Sequence, residues 1–263
     1  MNRIENLFQQ KSEKILNVYF TAGYPALHDT PTILKALQNA GVDLIEIGMP
    51  YSDPIADGET IQQSNQQALH NGMTLKLLFE QLKDCRKTVD RPILLMGYLN
   101  PVVQFGIENF CKKCQEVGID GVILPDMPIA VYQEEYQATF RRYGLLSIFL
   151  ITPQTTEERI RQIDQMGEGF IYMVSSASTT GQQTGISEEM IDYFSRVNRM
   201  DLQTPRLIGF GITDKKTFEQ ACQYAQGAII GSAFIRRLQQ ADDDLTGTIG
   251  NFVRSVKDEV VPN

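Results

Sequence analysis

Short apolar runs alternate regularly with longer amphipathic segments along the whole of this chain. The runs are rich in β-branched residues and lie at positions 15–23, 42–50, 92–98, 119–128, 145–153, 170–178, 206–212 and 227–234. Between them, apolar residues recur with the spacing of an α-helix. Strands that alternate with helices in this way are typical of βαβ units, which build a parallel sheet.

Eight such units in a chain of 263 residues match a single (β/α)8 barrel, the TIM-barrel architecture of the α/β class. The alternative is an open, doubly wound sheet, which would carry a G-x-G-x-x-G turn after its first strand. This chain has Thr21-Ala22-Gly23-Tyr24-Pro25 at that point. No linker rich in Pro, Ser or Gly divides the sequence, so we expect one domain over residues 1–263.

The helical segments include two that lie outside the eight repeated units. Ile4, Leu7 and Phe8 have helical spacing and predict an extra helix at the N-terminus. A short helix is predicted at 234–240, directly after the eighth strand, where barrels of this kind often bind phosphate. Within the repeated units, the pattern also predicts long helices at 75–88 and 131–143.

Composition excludes several classes of function. The net charge of −8 and the pI of about 4.9 argue against a nucleic-acid-binding protein. No segment approaches the roughly 18 consecutive apolar residues of a membrane span, and the N-terminus lacks the apolar core of a signal peptide. The four cysteines are scattered and there are two histidines, which favours neither disulfides nor a metal site. We expect a cytoplasmic protein without a metal.

Glu46 is the residue that most strongly suggests chemistry. It lies near the carboxyl end of the second predicted strand, where barrel enzymes carry their catalytic groups. The period of two places Glu46 opposite Ile45 and Ile47, so it faces the barrel interior if those two meet the helices. Apolar surroundings raise the pKa of a carboxyl, which then exchanges protons near neutral pH. The alternative is a glutamate that faces solvent or pairs with a base.

Asp57 offers a second carboxylate close to Glu46 in the sequence. It lies in a loop stiffened by Pro50 and Pro54, just before a helix predicted to begin near Glu59. Two acids in unlike environments can divide the roles of proton donor and hydrogen-bond acceptor. The alternative is that Asp57 only caps the following helix, as aspartate often does.

Glycine-containing turns late in the chain suggest an anion site. Gly209-Phe210-Gly211 follows the seventh strand, and Gly231-Ser232 follows the eighth and opens a helix. Glycine permits a close backbone approach, and helix N-termini offer unpaired N–H groups. We therefore expect phosphate binding here, with the polar stretch 175–185 as a loop that closes over the ligand.

Together these residues resemble the tryptophan synthase alpha chain family. The longest matching stretch is EIGMPYSDPIADG from Glu46 to Gly58, followed by Ile61-Gln62. Further matches run through the chain in the family's order: Thr21-Ala22-Gly23-x-Pro25, MGYLNP from Met96, Asp126 with Pro128, Tyr172, Thr180-Gly181, GFGI from Gly209 and GSA from Gly231. The sequence departs from the family at Ser176, Ser178 and Tyr24.

The resemblance implies a retro-aldol lyase that converts indole-3-glycerol phosphate to indole and glyceraldehyde 3-phosphate. Glu46 would be the acid and base at the indole ring, and Asp57 would hold the indole N–H. The other implied contacts are these: Tyr172 and Phe210 in the indole pocket, Gly181, Gly211, Gly231 and Ser232 at the phosphate, and Thr180 as a latch onto Asp57.

The resemblance also implies a partner. Family members work with a beta chain that carries pyridoxal phosphate and receives indole through a tunnel, in an alpha2-beta2 tetramer. The alpha chain itself needs no cofactor. The positions that match the partner interface are Pro50, Asp53, Asn100 and Pro101.

Three other functions remain open from the sequence. The first is a stand-alone lyase that releases indole without a partner. The second is a non-catalytic subunit that activates a beta chain, although the presence of Glu46, Asp57 and Tyr172 argues against it. The third, another phosphate-binding barrel enzyme such as a sugar-phosphate isomerase, does not explain the stretch from Glu46 to Gly58.

Overall fold

The computed structural model describes residues 1–54, 57–174, 188–209, 211–241 and 244–257. Its eight strands are parallel and pair in chain order into a closed barrel, with the last strand beside the first. This confirms the predicted (β/α)8 architecture. The strands are β1 Ile15–Thr21, β2 Leu44–Gly48, β3 Ile93–Met96, β4 Gly121–Ile123, β5 Leu146–Ile151, β6 Ile171–Val174, β7 Arg206–Gly209 and β8 Gly227–Ile230.

Helices surround the barrel and connect its strands. They are α1 Arg3–Gln10, α2 Thr30–Asn39, α3 Glu59–His70, α4 Leu75–Leu82, α5 Leu99–Phe105, α6 Ile107–Val117, α7 Ile129–Val131, α8 Gln137–Arg142, α9 Glu157–Met166, α10 Glu188–Asn198, α11 Lys215–Ala221, α12 Ser232–Gln239 and α13 Leu245–Lys257. Among the residues described above, no helix is both long and apolar enough to cross a lipid bilayer.

The extra N-terminal helix, α1, is confirmed and covers the amino-terminal end of the barrel. It begins with a capping box, in which Asn2 accepts from a backbone N–H while Glu5 accepts from the N–H of Asn2. Ile4 is fully buried and lies so close to the strands that a Cβ on Gly121 would be 3.2 Å from it. The side chain of Asn2 also donates to the carbonyl of Asp120.

The helix after the eighth strand is also confirmed, although α12 begins at Ser232, two residues before the predicted start. Two other predicted helices were too long. The segment 75–88 leaves the α-helix after Leu82 and forms a 3₁₀ turn at Cys85–Lys87. There the side chain of Arg86 donates to the carbonyls of Gly118 and Arg91, which anchors the turn to the barrel.

The segment 131–143 is likewise not one continuous α-helix. It contains a π-helical turn at Tyr132–Tyr136 between α7 and α8. Tyr132 is fully buried in this turn and donates to the carboxylate of Glu168 at 2.6 Å. The sequence pattern also missed α5. The first N–H groups of this helix, as of any α-helix, have no acceptor within the helix itself. The carboxylate of Asp126 accepts from the backbone N–H of Leu99 at 2.9 Å and so holds the start of α5.

Four side-chain acceptors close the amino-terminal ends of the strands. Each precedes an even-numbered strand and accepts from a backbone N–H at or near the start of the preceding odd-numbered strand. The pairs are Asp43 with Leu16, Asp120 with Ile93, Glu168 with Ser147, and Gln226 with Arg206, at distances of 2.7–3.1 Å. The three acids also bind cations from outside the sheet, since Asp43 pairs with Lys11, Asp120 with Arg3 and Arg86, and Glu168 with Arg141.

Asp120 provides a test of this arrangement. We expect Asp120→Ala to lower the free energy of unfolding by about 3 kcal/mol, because it removes the carboxylate that pairs with the Arg86 guanidinium and leaves the Ile93 N–H without an acceptor. Equilibrium urea unfolding measures the change. The control is Asp84→Ala, which removes an exposed ion pair with Lys87 and should change stability very little. Equal effects of the two substitutions would contradict the assigned role of Asp120.

Candidate active site

Glu46 faces the interior of the barrel, as the alternation predicted. It lies beside Tyr19 in the β1–β2 register, and its side chain is fully buried. Its Oε2 accepts a hydrogen bond from Nδ2 of Asn17 at 2.8 Å. Within the described part of the chain, its Oε1 has no hydrogen-bond partner. One oxygen of Glu46 is thus held in place while the other remains available to a ligand.

Asp57 lies close to Glu46 and is almost fully buried. Its Oδ2 accepts from the hydroxyl of Tyr98 at 3.2 Å and from Nδ2 of Asn65 at 3.4 Å. The N-cap residue of α3 is Gly58, so the alternative that Asp57 only caps this helix is wrong. The following helix instead holds Asp57 in the site, because Gln62 donates to its backbone carbonyl at 2.8 Å.

Burial sets the proton affinity of both acids. Loss of solvation raises the pKa of Glu46 to about 8, although the hydrogen bond from Asn17 opposes the rise and the charge of Asp57 adds to it. Loss of solvation also raises the pKa of Asp57 to about 6, against the hydrogen bonds from Tyr98 and Asn65. At neutral pH, Glu46 therefore carries a proton while Asp57 is mostly ionised. This division of states suits a proton donor beside a fixed acceptor.

Two tyrosines line the space around these acids. Tyr172 on β6 and Tyr19 on β1 are both buried, and desolvation with the nearby acids raises the pKa of each phenol well above its ordinary value. Both are therefore neutral hydroxyl groups. Glycines make room for them, because a Cβ on Gly209 would overlap the Tyr172 hydroxyl and one on Gly48 would overlap that of Tyr19.

Three hydroxyls extend along the wall of the site. The Tyr19 hydroxyl lies 3.4 Å from that of Thr21, which lies 2.6 Å from that of Ser64. Asn17, Tyr19, Asn65 and Ser64 were not predicted as site residues. A signal was present for Asn17, since a polar residue in the middle of an apolar strand run has to find a partner inside the barrel.

The predicted phosphate residues lie on two neighbouring turns. Gly209 pairs with Ile229, so the turns that contain Gly211 and Gly231 leave adjacent strands at the same end of the barrel. Gly211 has a positive φ of 74°, which favours glycine. Gly231 is the N-cap of α12 and Ser232 is its first residue. The N–H groups in the first turn of this helix, which have no acceptor within the helix, therefore lie at the predicted anion site. Thr180, Gly181 and Phe210 lie outside the described residues.

The four predicted interface positions lie at this same end of the barrel. Asn100 and Pro101 lie in the first turn of α5, and Pro50 and Asp53 lie in the loop after β2. Tyr51 connects the two segments, because its ring lies 5.2 Å from that of Tyr98 and its hydroxyl accepts from Asn100 at 3.4 Å. Asp53 and Asn100 are exposed.

Metal-ligating residues do not gather in the parts of the chain described here. Over those ranges, no group of three or more His, Cys, Asp or Glu residues is placed to hold a metal ion. Cys111 and Cys114 are buried with free thiols on α6.

Comparison with known proteins identifies the family. The family model for the tryptophan synthase alpha chain matches residues 6–259. The chain belongs to this family. A tryptophan synthase alpha chain from Flavobacterium psychrophilum is 58% identical over 97% of this chain and 100% of the relative. One from Flavobacterium johnsoniae is 55% identical over 98% of this chain and 100% of the relative.

Solved structures of the family have the same fold. The alpha chain from Legionella pneumophila has a TM-score of 0.87 at 30% identity and covers 98% of this chain, with 97% of its own length matched. A tryptophan synthase complex from Pyrococcus furiosus gives a TM-score of 0.85 at 32% identity, over 94% of this chain and 99% of that chain. The alpha chains of tryptophan synthase are lyases of tryptophan biosynthesis that cleave indole-3-glycerol phosphate, and this is the reaction of the family member described here.

The raised pKa of Glu46 predicts how pH affects stability. Between the ordinary pKa of 4.5 and about 8, the native state keeps a proton that the unfolded chain has lost, so the free energy of unfolding falls as pH rises. Glu46→Gln removes this contribution. We expect the variant to gain stability relative to the wild type as pH rises through this window, by up to roughly 1.4 kcal/mol per pH unit.

Urea unfolding of both proteins across this pH range measures the difference. Asp57 is present in both, so its own titration largely cancels. A difference in stability that does not depend on pH would show that burial does not raise the pKa of Glu46.

Proposed function

We propose that Glu46 is the acid and base of the cleavage reaction in this chain. Its protonated Oε1 would give a proton to the indole ring carbon at the bond to be broken. The carbon–carbon bond then breaks as the hydroxyl on the departing carbon becomes the aldehyde of glyceraldehyde 3-phosphate, and the proton of that hydroxyl returns to Glu46. Its pKa of about 8 suits both transfers near neutral pH.

Asp57 would act as the fixed acceptor for the ring. Protonation of the ring carbon places positive charge on the indole nitrogen, and an ionised carboxylate at the N–H stabilises that charge. The hydrogen bonds from Tyr98 and Asn65 favour the ionised form of Asp57 and hold its orientation. Asp57 thereby contributes to the transition state more than to the bound substrate.

The remaining predicted contacts would position the substrate. Tyr172 and Phe210 are assigned to the indole pocket, and Gly181, Gly211, Gly231 and Ser232 to the phosphate. Thr180 is assigned as the latch onto Asp57 when the 175–185 loop closes. Binding energy from a remote phosphate helps to orient the reacting bond. The observation that carries the proposal is the buried pair of Glu46 and Asp57 with different proton affinities.

Glu46→Gln tests the catalytic assignment. The amide keeps the shape of the side chain but cannot cycle the proton, so we expect kcat to fall about 10²–10⁴-fold with little change in KM. Indole release from indole-3-glycerol phosphate measures the rate. The matched control is Glu59→Gln, at an exposed position on α3, which should keep the wild-type rate. Turnover near the wild-type rate by Glu46→Gln would remove Glu46 from the mechanism.

We also propose that this chain docks on a beta chain that carries pyridoxal phosphate, in an alpha2-beta2 tetramer in the cytoplasm. Pro50, Asp53, Asn100 and Pro101 are assigned to the contact. The chain itself would act as one domain over residues 1–263. The proposed contact lies beside Asp57, since Tyr98 bonds to Asp57 and its ring lies 5.2 Å from that of Tyr51. Docking would therefore affect the geometry of Asp57.

Indole release with and without a beta chain distinguishes this proposal from its alternatives. Slow release that accelerates strongly with the partner supports an alpha subunit. Fast release by the isolated chain would indicate a stand-alone lyase. A chain that activates the partner to the same extent with Glu46→Gln, and that releases no indole itself, would be a non-catalytic subunit.

Val103 offers a specific test of the docking surface. It is a valine with 47% of its surface exposed, on α5 beside Asn100 and Pro101. A charge placed at the centre of an apolar contact is costly, so we expect Val103→Asp to weaken binding to the beta chain about tenfold or more. The isolated chain should release indole at the unchanged rate.

Binding is measured by titration of the beta chain against stimulated indole release. The matched control is Ile191→Asp, which places the same charge on an exposed apolar residue of α10. We expect this variant to bind as the wild type does. Equal affinities for Val103→Asp and the wild type would exclude α5 from the interface.

A further inference from the structure

Asn17 is a polar residue in the barrel interior to which the assigned reaction gives no role. It lies in the middle of β1, and its side chain is fully buried. Its Nδ2 donates to Glu46, whereas its Oδ1 has no partner among the described residues. A buried amide with an unsatisfied oxygen costs free energy. An apolar side chain would serve the packing of β1 better, so stability alone does not account for an asparagine here.

The bond from Asn17 distinguishes the two oxygens of Glu46. Oε2 accepts the amide N–H at 2.8 Å, and Oε1 is buried without a partner over the described residues. We propose that Asn17 is a positioning residue, which holds the Glu46 carboxyl by Oε2 and thereby makes Oε1 the oxygen that gives and takes the proton. This inference rests on the proposed role of Glu46 in the cleavage.

The arrangement works in both halves of the proton cycle. When Glu46 is protonated on Oε1, its Oε2 is a carbonyl oxygen and accepts the amide N–H. When the proton has moved to the ring carbon, Oε2 is a carboxylate oxygen and accepts the same bond more strongly. The hydroxyl of the departing carbon then returns a proton to Oε1. The hydrogens of Asn17 stay on its nitrogen throughout, so the carboxyl need not rotate between the two transfers.

The other groups around Glu46 do not replace this bond. The titratable residues whose charges couple to it are Asp57 after β2, Tyr19 on β1 and Tyr172 on β6. Ionised Asp57 raises the pKa of Glu46, and the two phenols are neutral. Across the described ranges, Asn17 is the one side chain that hydrogen-bonds to Glu46, and this bond favours the carboxylate.

The test compares two variants that both remove the amide N–H of Asn17 but affect packing in opposite ways. Asn17→Leu fills the site with a side chain of similar shape, and Asn17→Ala leaves a cavity. An effect common to both follows from the lost N–H. The packing control is Val18→Ala, which truncates a fully buried residue on the opposite face of the same strand.

The first readout is the pH dependence of kcat for indole release. Because cleavage begins with protonated Glu46, kcat falls as pH rises through its pKa. We expect this alkaline limb to move upward by roughly one pH unit in both Asn17 variants, as the bond that favours the carboxylate is lost. We also expect kcat below the limb to fall about tenfold, with KM unchanged, because the carboxyl is no longer fixed.

Val18→Ala should lower the thermal midpoint of unfolding while its alkaline limb stays at the wild-type position. The inference would be overturned if the alkaline limb of the kcat profile stayed at the wild-type pH in both Asn17→Leu and Asn17→Ala. A limb that moves equally in Val18→Ala would also overturn it, because the shift would then reflect packing alone.

A second readout does not depend on turnover. Difference infrared spectroscopy follows the protonated carboxyl of Glu46, which is assigned by its loss in Glu46→Gln. Its titration midpoint should rise in any Asn17 variant that folds, and an unchanged midpoint would contradict the inference. Failure of the proposed function is distinct, since it would appear in the wild type as no indole release or in Glu46→Gln as full activity.

Discussion

The site depends on the closure of the parallel barrel, and closure depends on satisfying the strand ends. Parallel strands begin with N–H groups that the neighbouring strand does not reach. In this chain, Asp43, Asp120, Glu168 and Gln226 accept these hydrogens at alternate positions around one end. Basic side chains then offset the charge of the three acids. They come from α1, α8 and α13, from Lys11 directly after α1, and from Arg86 in the 3₁₀ turn after α4. The amino-terminal end is therefore the end that stabilises the barrel.

The groups assigned to function lie toward the carboxyl-terminal end of the barrel, and they lower the stability of the fold. Glu46 has one oxygen without a described partner, and Asn17 has another. Burial raises the pKa values of Glu46 and Asp57 to about 8 and about 6, so keeping either acid ionised opposes folding. These features are destabilising in themselves. They persist because the closed strands fix the positions of the side chains, and the ion pairs that secure the strands lie at the other end of the barrel.

The sequence predicted the barrel better than it predicted the details of its connections. Alternation of strand and helix periods is repeated in every unit, so the fold follows even where single boundaries shift. The errors occurred where a side chain makes a long-range contact, as with Arg86 in the 3₁₀ turn after α4 and Tyr132 in the π-helical turn. A local pattern contains no information about such partners. The helix α5 was missed for the same reason, because its cap, Asp126, lies far along the chain.

The same distinction applies to the site. Glu46 and Asp57 could be identified from strand position and loop composition, and the family resemblance supplied their roles. Whether Asp57 capped a helix or faced a ligand depended on Tyr98 and Asn65, which only folding brings to it. Asn17 shows the limit most clearly. Its polarity within an apolar strand indicated a buried partner, but only the folded β1–β2 pair shows that the partner is the carboxyl of Glu46. A single amide on a neighbouring strand thus holds one oxygen of Glu46 and leaves the other without a described partner, so the proposed chemistry depends on Asn17 as well as on the two acids.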